Sequence, residues 1–295
     1  MKIYAPEYYK RFKCIADKCT HSCCVGWQIY VDEKTALWHK SSDHSVSREL
    51  ISRLSSDEDG EYIELTERGR CPFLDECGLC RIHSALGEDK TSIICREHPR
   101  FYHKIGDRYE TGLGAVCDVA AKLILDSDDF YPSLEIDRDK RDIDGAEYDA
   151  TFERESIFNL ISNTDSVKEI FDALMEKYEI SPEIFSSDEL ALYIKELELL
   201  DSRNRKILAK TALKSFKCKE IFAKRFLFYL IFRHVSNARD YNDLRVSVAF
   251  AIALTNILAS SDDASVYDAA RIISEEIEYS EDNTAALKFA LFCLI

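Results

Sequence analysis

Glycine and proline are scarce in this chain. Nine glycines and five prolines in 295 residues are about 3% and 2%, against usual shares of roughly 7% and 5%. So few turn-formers exclude an all-β fold full of tight turns, argue against a glycine-rich nucleotide-binding sheet, and favour helices. The pair Gly112-x-Gly114 has no third glycine and no strand is expected before it, so it is not read as a phosphate loop. Basic charge is also in deficit: 39 Lys and Arg face 54 Asp and Glu, a formal charge of −15. Nucleic-acid binding is driven by basic surface, so no nucleic-acid partner is expected. Long apolar runs are missing as well. The longest, residues 246–258, contains Ser247, Thr255 and Asn256 and falls short of the roughly 20 residues that span a bilayer. The opening MKIYAPEYYKRFK lacks the apolar core of a secretory leader. No membrane partner is expected, and the cytoplasm is the expected location.

Cysteine, by contrast, is abundant and unevenly placed. Nine of the 11 cysteines fall in residues 1–117. They are Cys14, Cys19, Cys23 and Cys24 in FKCIADKCTHSCC, then Cys71, Cys77 and Cys80 in CPFLDECGLC, then Cys95 and Cys117. A reducing compartment disfavours a disulfide framework, and clustered thiols there point to a metal. Four thiolates close a tetrahedral zinc site or hold an iron–sulfur cluster. Binding would then supply part of the folding energy of a segment that lacks periodic structure. Adjacent residues do not easily ligate one metal, so Cys23 and Cys24 are expected to serve different partners, or one to ligate and one to pack. Cys77-x2-Cys80 is a single knuckle without an equal partner, so the spacing matches no standard zinc finger. Cys218 and Cys293 stand alone in apolar surroundings and read as buried free thiols.

The expected fold class is mainly α: a cysteine-rich metal- or cluster-binding N-terminal region of short irregular elements, followed by a helical bundle. Residues 1–120 hold 17 basic and 20 acidic side chains, and the remainder holds 22 and 34, so the second half carries most of the acidity. Residues 126–148 are charged, lack helical period and contain Pro132 and Gly145, so they read as a connecting loop. This divides the chain into 1–125, a loop at 126–148, and an all-helical domain at 149–295. Short strands are expected at 28–31 and 62–65. Val167, Ile170, Phe171 and Leu174 mark one helix face. Leu190, Tyr193, Ile194 and Leu197 mark another, with Ser186 and Glu189 as a capping box. Further helices are expected within 203–235, at 243–259 and 266–278, and from Thr284. Nine basic residues between Arg203 and Arg225 stand against Glu220 alone, a solvated basic helix or a face for an acidic partner.

FKCIADKCTHSCCVGW, CPFLDECGLCRIHSALGEDKTSIICREHPR and the later block FLFYLIFRHVSNARDYNDLRVSVAFAIALTNIL together resemble the flagellin lysine-N-methylase family. The first two are also similar to a wider cysteine-rich zinc- or iron-chelating domain. The resemblance implies a metal set of Cys14, Cys19, Cys23, Cys24, Cys71, Cys80, Cys95 and Cys117, with Cys77 unmatched. The family tends to Ser-Cys-Pro-Glu where this chain has Val-Cys-Asp-Val around Cys117. It further implies methyl transfer from S-adenosylmethionine to lysines of flagellin, with a [4Fe-4S] cluster, or alternatively zinc, in the cysteine region.

That chemistry needs a lysine stripped of its proton and a home for a sulfonium, which favours carboxylates, phenols and aromatic faces. The candidates are Tyr229, Glu276 and Tyr279 for catalysis, with Arg233 and His234 for the donor. Arg233 would grip the donor's carboxylate as a fork. The same residues also fit blander roles: the glutamates around 276 as an exposed helix face, His234 and the aromatics at 226–232 as core. The rival function is a non-catalytic, cysteine-rich zinc- or iron-binding protein with a helical interaction module.

Overall fold

The computed structural model describes residues 2–295 except 130, 138–144, 146–147 and 210–216. In chain order the strands are β1 (Lys2–Ala5), β2 (Ile29–Tyr30), β3 (Leu54–Ser56), β4 (Glu61–Ile63), β5 (Arg100–Ile105), β6 (Arg108–Leu113) and β7 (Leu134–Asp137). The helices of the first 125 residues are α1 (Glu33–Lys40), α2 (Ser45–Ser52), α3 (Arg81–Leu86), α4 (Ile93–Glu97) and α5 (Asp118–Leu125). Those that follow are α6 (Thr151–Asn163), α7 (Val167–Lys177), α8 (Asp188–Glu196), α9 (Arg205–Leu208), α10 (Glu220–His234), α11 (Tyr241–Ala259), α12 (Val266–Ile273) and α13 (Glu281–Leu294). The mainly α expectation holds.

The division of the chain differs from the expected one. One unit is Lys13–Pro99, and the other joins Met1–Phe12 to Arg100–Ile295. Residues 100–125 fold with the helices, and the expected connecting loop supplies β7 to a sheet. Long-range strand pairing, invisible to local composition, is the physical reason.

The Lys13–Pro99 unit is small. Its antiparallel sheet runs β2-β4-β3, and Ile29, Val31, Ala36, Leu50, Ile63, Phe73 and Ile82 form its apolar floor. Asp32 starts α1 by accepting from the Thr35 N–H at 3.1 Å, and its other oxygen accepts from Ile93 N–H at 2.9 Å. One short carboxylate therefore sets both a helix start and the approach to α4.

The larger unit packs a sheet of order β5-β6-β1-β7 with the long helices. β1 lies parallel to β6 and antiparallel to β7. β5 and β6 form a hairpin that turns at Gly106, whose φ of 52° suits glycine. Residues 226–232 of α10 are all buried, as a helix apolar all round should be. α11 is long and apolar enough to cross a membrane, yet 83% of its apolar window is buried within the protein, as in a core helix. Three starts follow the serine rule: Ser166 caps α7, Ser280 caps α13, and Ser187, not Ser186, caps α8 by accepting from Leu190 N–H at 3.1 Å. Ser186 ends a preceding 3-10 turn instead. Lys210 and Lys214 of the basic run lie outside the described residues.

A buried ion pair ties the hairpin to the helices. Arg154 of α6 donates to Glu110 of β6 at 2.6 and 2.9 Å and to Ser236 Oγ at 2.8 Å. His103 of β5 meets the same carboxylate at 3.0 Å. Burial opposes ionisation of Glu110, but these donors outweigh it and hold the carboxyl down to about 2. Removing one partner strands a buried charge, which costs about 3–5 kcal/mol. Arg154→Met should therefore lower unfolding free energy by about that much in urea titration, and the Arg154→Met/Glu110→Met double variant should recover most of the loss. A single variant as stable as the wild type would show that the pair does not hold the hairpin.

Candidate functional site

Two chemical centres emerge, one in each unit. The first is the thiol patch of Lys13–Pro99. Cys71 N–H donates to the Cys24 carbonyl at 2.8 Å, and Gly26 N–H to Gly69 at 2.8 Å, so two cysteine segments run side by side. Leu74 and Cys80 form a bridge, and Arg81 N–H donates to the Phe73 carbonyl at 2.8 Å. Asp75 closes the loop between them: its carboxylate accepts from Cys77 and Leu79 N–H at 2.9 and 2.8 Å. The outcome is a tetrad. All six pairs among Cys24, Cys71, Cys80 and Cys95 interact electrostatically. Cys23 hydrogen-bonds Cys24 and interacts electrostatically with Cys95 and Cys14.

The chemistry of this set suits a metal. Burial pushes the Cys71 thiol up to about 11, and that of Cys80 also upward, while neighbouring thiols add to the rise. Backbone N–H groups of Phe73 and Leu74 favour the Cys71 thiolate, and those of Ile82 and His83 favour that of Cys80. Four mutually interacting thiols, two of them with backbone N–H groups on their sulfurs, are of the donor type that zinc or an iron–sulfur cluster takes. Among the described residues, no three His, Cys, Asp or Glu side chains are already drawn into a ready coordination sphere. The tetrad therefore fits such a group in the kind of donor it offers, and not in a formed coordination geometry.

The remaining cysteines take other places. Cys14 and Cys23 are exposed, and Cys19 Sγ donates to the His21 carbonyl at 2.9 Å. Cys77 is exposed. Cys117 belongs to the larger unit, at the residue before α5, and interacts with Tyr279. Cys218 is buried as expected, but Cys293 is exposed, because the C-terminal turn of α13 carries it on the outer side.

The second centre joins α10 to the residues after α12. Tyr229, Arg233 and His234 of α10 converge on Glu278. The Tyr229 hydroxyl donates to the Glu278 carboxylate, 3.0 and 3.1 Å from its two oxygens. That hydroxyl oxygen accepts from Arg233 Nη1 at 2.9 Å and from Ala115 N–H at 3.1 Å. His234 Nε2 donates to Glu278 Oε1 at 2.7 Å. Arg233 also stacks on the Tyr279 ring at 4.4 Å and on Phe101 at 5.1 Å. The carboxylate that Arg233 meets is thus Glu278's. Burial works against the charge on Glu278, but Arg233 and His234 keep its carboxyl below the usual range. Burial drives His234 the other way, down to about 4, so it is neutral at pH 7. Glycine is required beside this centre: a Cβ on Gly114 would collide with the Tyr279 ring and hydroxyl, and one on Gly112 with Phe101 and Phe232.

A π turn distributes the glutamates. Residues Ser274–Glu278 form it, and π turns favour functional sites. Glu275, Glu276 and Glu278 are all buried there, not on a solvated face. Glu275 pairs with Arg271 at 2.7 Å. Glu276 accepts from the N–H groups of Leu200 and Asp201 at 2.7 and 3.1 Å and from Asn204 Nδ2 at 2.7 Å, and so fastens the 200–204 turn. Glu278 alone reaches the Tyr229 cluster. Of the expected residues, Tyr229, Arg233, His234 and Tyr279 come together, and Glu276 stands apart from them. The open groove of about 450 Å³ beside α7, with Met175 and Ile180 in its lining, shares no residue with this centre.

His234 gives the centre a pH signature. Its folded value lies near 4, below the ordinary 6.5, so the folded state binds fewer protons. This contribution to stability is complete above about pH 6.5 and is lost as pH falls toward 4. His234→Gln should flatten the acid limb of a stability-against-pH curve in that window. An unchanged limb would assign the loss to other groups.

No family model and no solved structure matches the chain. Curated proteins do. The chain is 28% identical over 130 residues to the Lysine-N-methylase of Salmonella typhimurium (strain LT2), which covers 42% of this chain and 32% of that protein. The Lysine-N-methylase of Salmonella choleraesuis (strain SC-B67) matches at the same identity and shares. The Flagellar biosynthetic protein FliU of Salmonella muenchen is 28% identical over 130 residues, 42% of this chain and 77% of that protein. The match thus spans about a third of the length of the lysine-N-methylases. The resemblance to lysine-N-methylases is thereby shown: over 42% of its length the chain is similar to proteins of that name.

Proposed function

We propose that this chain transfers methyl groups from S-adenosylmethionine to lysine side chains of a flagellar protein, flagellin. The observation that carries the reading is the buried Glu278, kept ionised between Tyr229, Arg233 and His234 with the Tyr279 ring alongside. A dry carboxylate rimmed by phenols is what a lysine ammonium and a sulfonium both seek. The names of the relatives point the same way.

In this reading Glu278 takes the ammonium's proton, and removal from water lowers the lysine's own hold on it. Tyr229, fixed by Ala115 N–H and Arg233, orients the carboxylate. His234 stays neutral and donates to Glu278 Oε1, so it supports the base without competing for the proton. Tyr279 supplies an aromatic wall against which a methyl donor packs. Cys24, Cys71, Cys80 and Cys95 would hold the cluster or zinc. Such a group, when bound, supplies folding energy and a Lewis-acidic centre.

The test is anaerobic purification, analysis of iron, sulfide and zinc, calorimetric titration with S-adenosylmethionine, and mass spectrometry of flagellin after incubation. About four irons and four sulfides per chain would indicate a [4Fe-4S] cluster. Glu278→Gln should retain metal and lower methyl transfer by about 10²–10⁴-fold. Cys71→Ser/Cys80→Ser should lose metal. A chain that keeps its metal yet binds no S-adenosylmethionine would leave the metal-binding reading, with no catalysis, as the better account.

A further inference from the structure

Lys288 lies on α13 with its amine turned toward the core helix α11. Nζ donates to Ser247 Oγ at 3.0 Å, and Ser247 is fully buried within α11. The ammonium lies 5.8 Å from the Phe250 ring centroid. Among the described residues no carboxylate forms an ion pair with it. The charged groups that face it are Asp243 of α11 and Arg239 of the turn before α11. Those two pair with each other at 3.0 Å, so the carboxylate is already engaged. From α10, His234 senses the Lys288 charge and sets its ring edge-on to Phe250, 5.0 Å between centroids. One aromatic ring therefore separates the amine from the imidazole that holds Glu278. Burial draws the Lys288 amine below the ordinary lysine value, with Arg239 assisting and Asp243 opposing.

We propose that Lys288 is a methyl acceptor within the chain itself. The amine lone pair attacks the methyl carbon of the donor sulfonium, and the S–CH3 bond breaks with its electrons leaving on sulfur as S-adenosylhomocysteine. The new ammonium then releases a proton to solvent. Ser247 and Phe250 act as the seat: the hydroxyl orients the nitrogen, and the ring lines its stem. The proposal rests on the donor named under Proposed function.

The full chain, purified anaerobically, is incubated with S-adenosylmethionine in the absence of flagellin, and donor binding is measured on the same sample. Peptide mapping should find the added mass of one or more methyl groups at Lys288. The signal should vanish in Lys288→Arg and fall several-fold in Ser247→Ala. Donor binding with Lys288 unmodified, or with methyl groups only on other lysines, overturns self-methylation and leaves the flagellin reading standing. Absence of donor binding overturns both. A second measurement uses no donor: trace acetylation with acetic anhydride across a pH series, read lysine by lysine. Lys288 should become reactive well below the ordinary lysine value of about 10.4, and in Lys288→Arg that peptide should stay unlabelled. Reaction only in step with solvated lysines would overturn the claim that this amine is available as a free base.

Discussion

A carboxylate that leaves water must be met by donors, and the larger unit is arranged around two of its buried glutamates. Glu110 and Glu278 are both closed off from solvent. Each is answered by an arginine and a histidine: Arg154 and His103 for the first, Arg233 and His234 for the second. α10 links them. Its Phe232 packs on Phe101 and His103 beside the first pair, while Tyr229, Arg233 and His234 serve the second. Such pairs contribute little net stability compared with apolar replacements. What they confer is position, since a misplaced strand or helix leaves a bare charge in the core. That demand fixes the β5–β6 hairpin, the 114–115 turn and the π segment against one helix.

Much of this was legible in the sequence, and the rest was hidden for definable reasons. The helices at 167–177 and 241–259 declare themselves through period and caps. The sheet does not, because β1 pairs with β6 across a hundred residues and each strand is short. The turn Ile105-Gly106-Asp107-Arg108 between polar–apolar alternations was the one available hairpin signal. Gly112-x-Gly114 was set aside as a phosphate loop partly because no strand was expected before it, yet β6 runs into it. Its glycines are there because Phe101, Phe232 and Tyr279 leave no room for a Cβ.

The site divides in the same way. Tyr229, Arg233 and His234 share one helix, and chemical need singled them out together. Their acidic partner was harder to choose, because the three glutamates in ISEEIEY look alike until backbone winding is known. A regular α-turn would send neighbouring glutamates to predictable faces; the π turn widens the spacing and brings Glu278 inward to Tyr229 while Glu276 reaches the 200–204 turn. Sequence pattern carries no reliable sign of a single π turn, so Glu276 and Glu278 could not be told apart.

The thiol patch poses the converse problem, in which pattern was strong and selection weak. Spacing offered nine cysteines. The chain resolves them by backbone pairing: residues 24–26 against 69–71, and 73–74 against 80–81, bring Cys24, Cys71 and Cys80 together, with Cys95 completing the tetrad. The vicinal pair stays together: the Cys23 and Cys24 side chains hydrogen-bond each other, and Cys23, exposed, also interacts electrostatically with Cys95 and Cys14. Thiolates crowded this closely repel one another, and burial raises the cost further. Arg70, Arg81 and Arg96 each ease one of these thiols toward its charged form, but three guanidinium groups at the rim do not replace a cation among four sulfurs. The Lys13–Pro99 unit has a small apolar floor, with Ile29, Leu50, Ile63 and Phe73 among its few fully buried members. A core that small has little cohesion of its own, so on the proposed reading, in which the tetrad holds a metal, occupancy and folding of this unit rise and fall together.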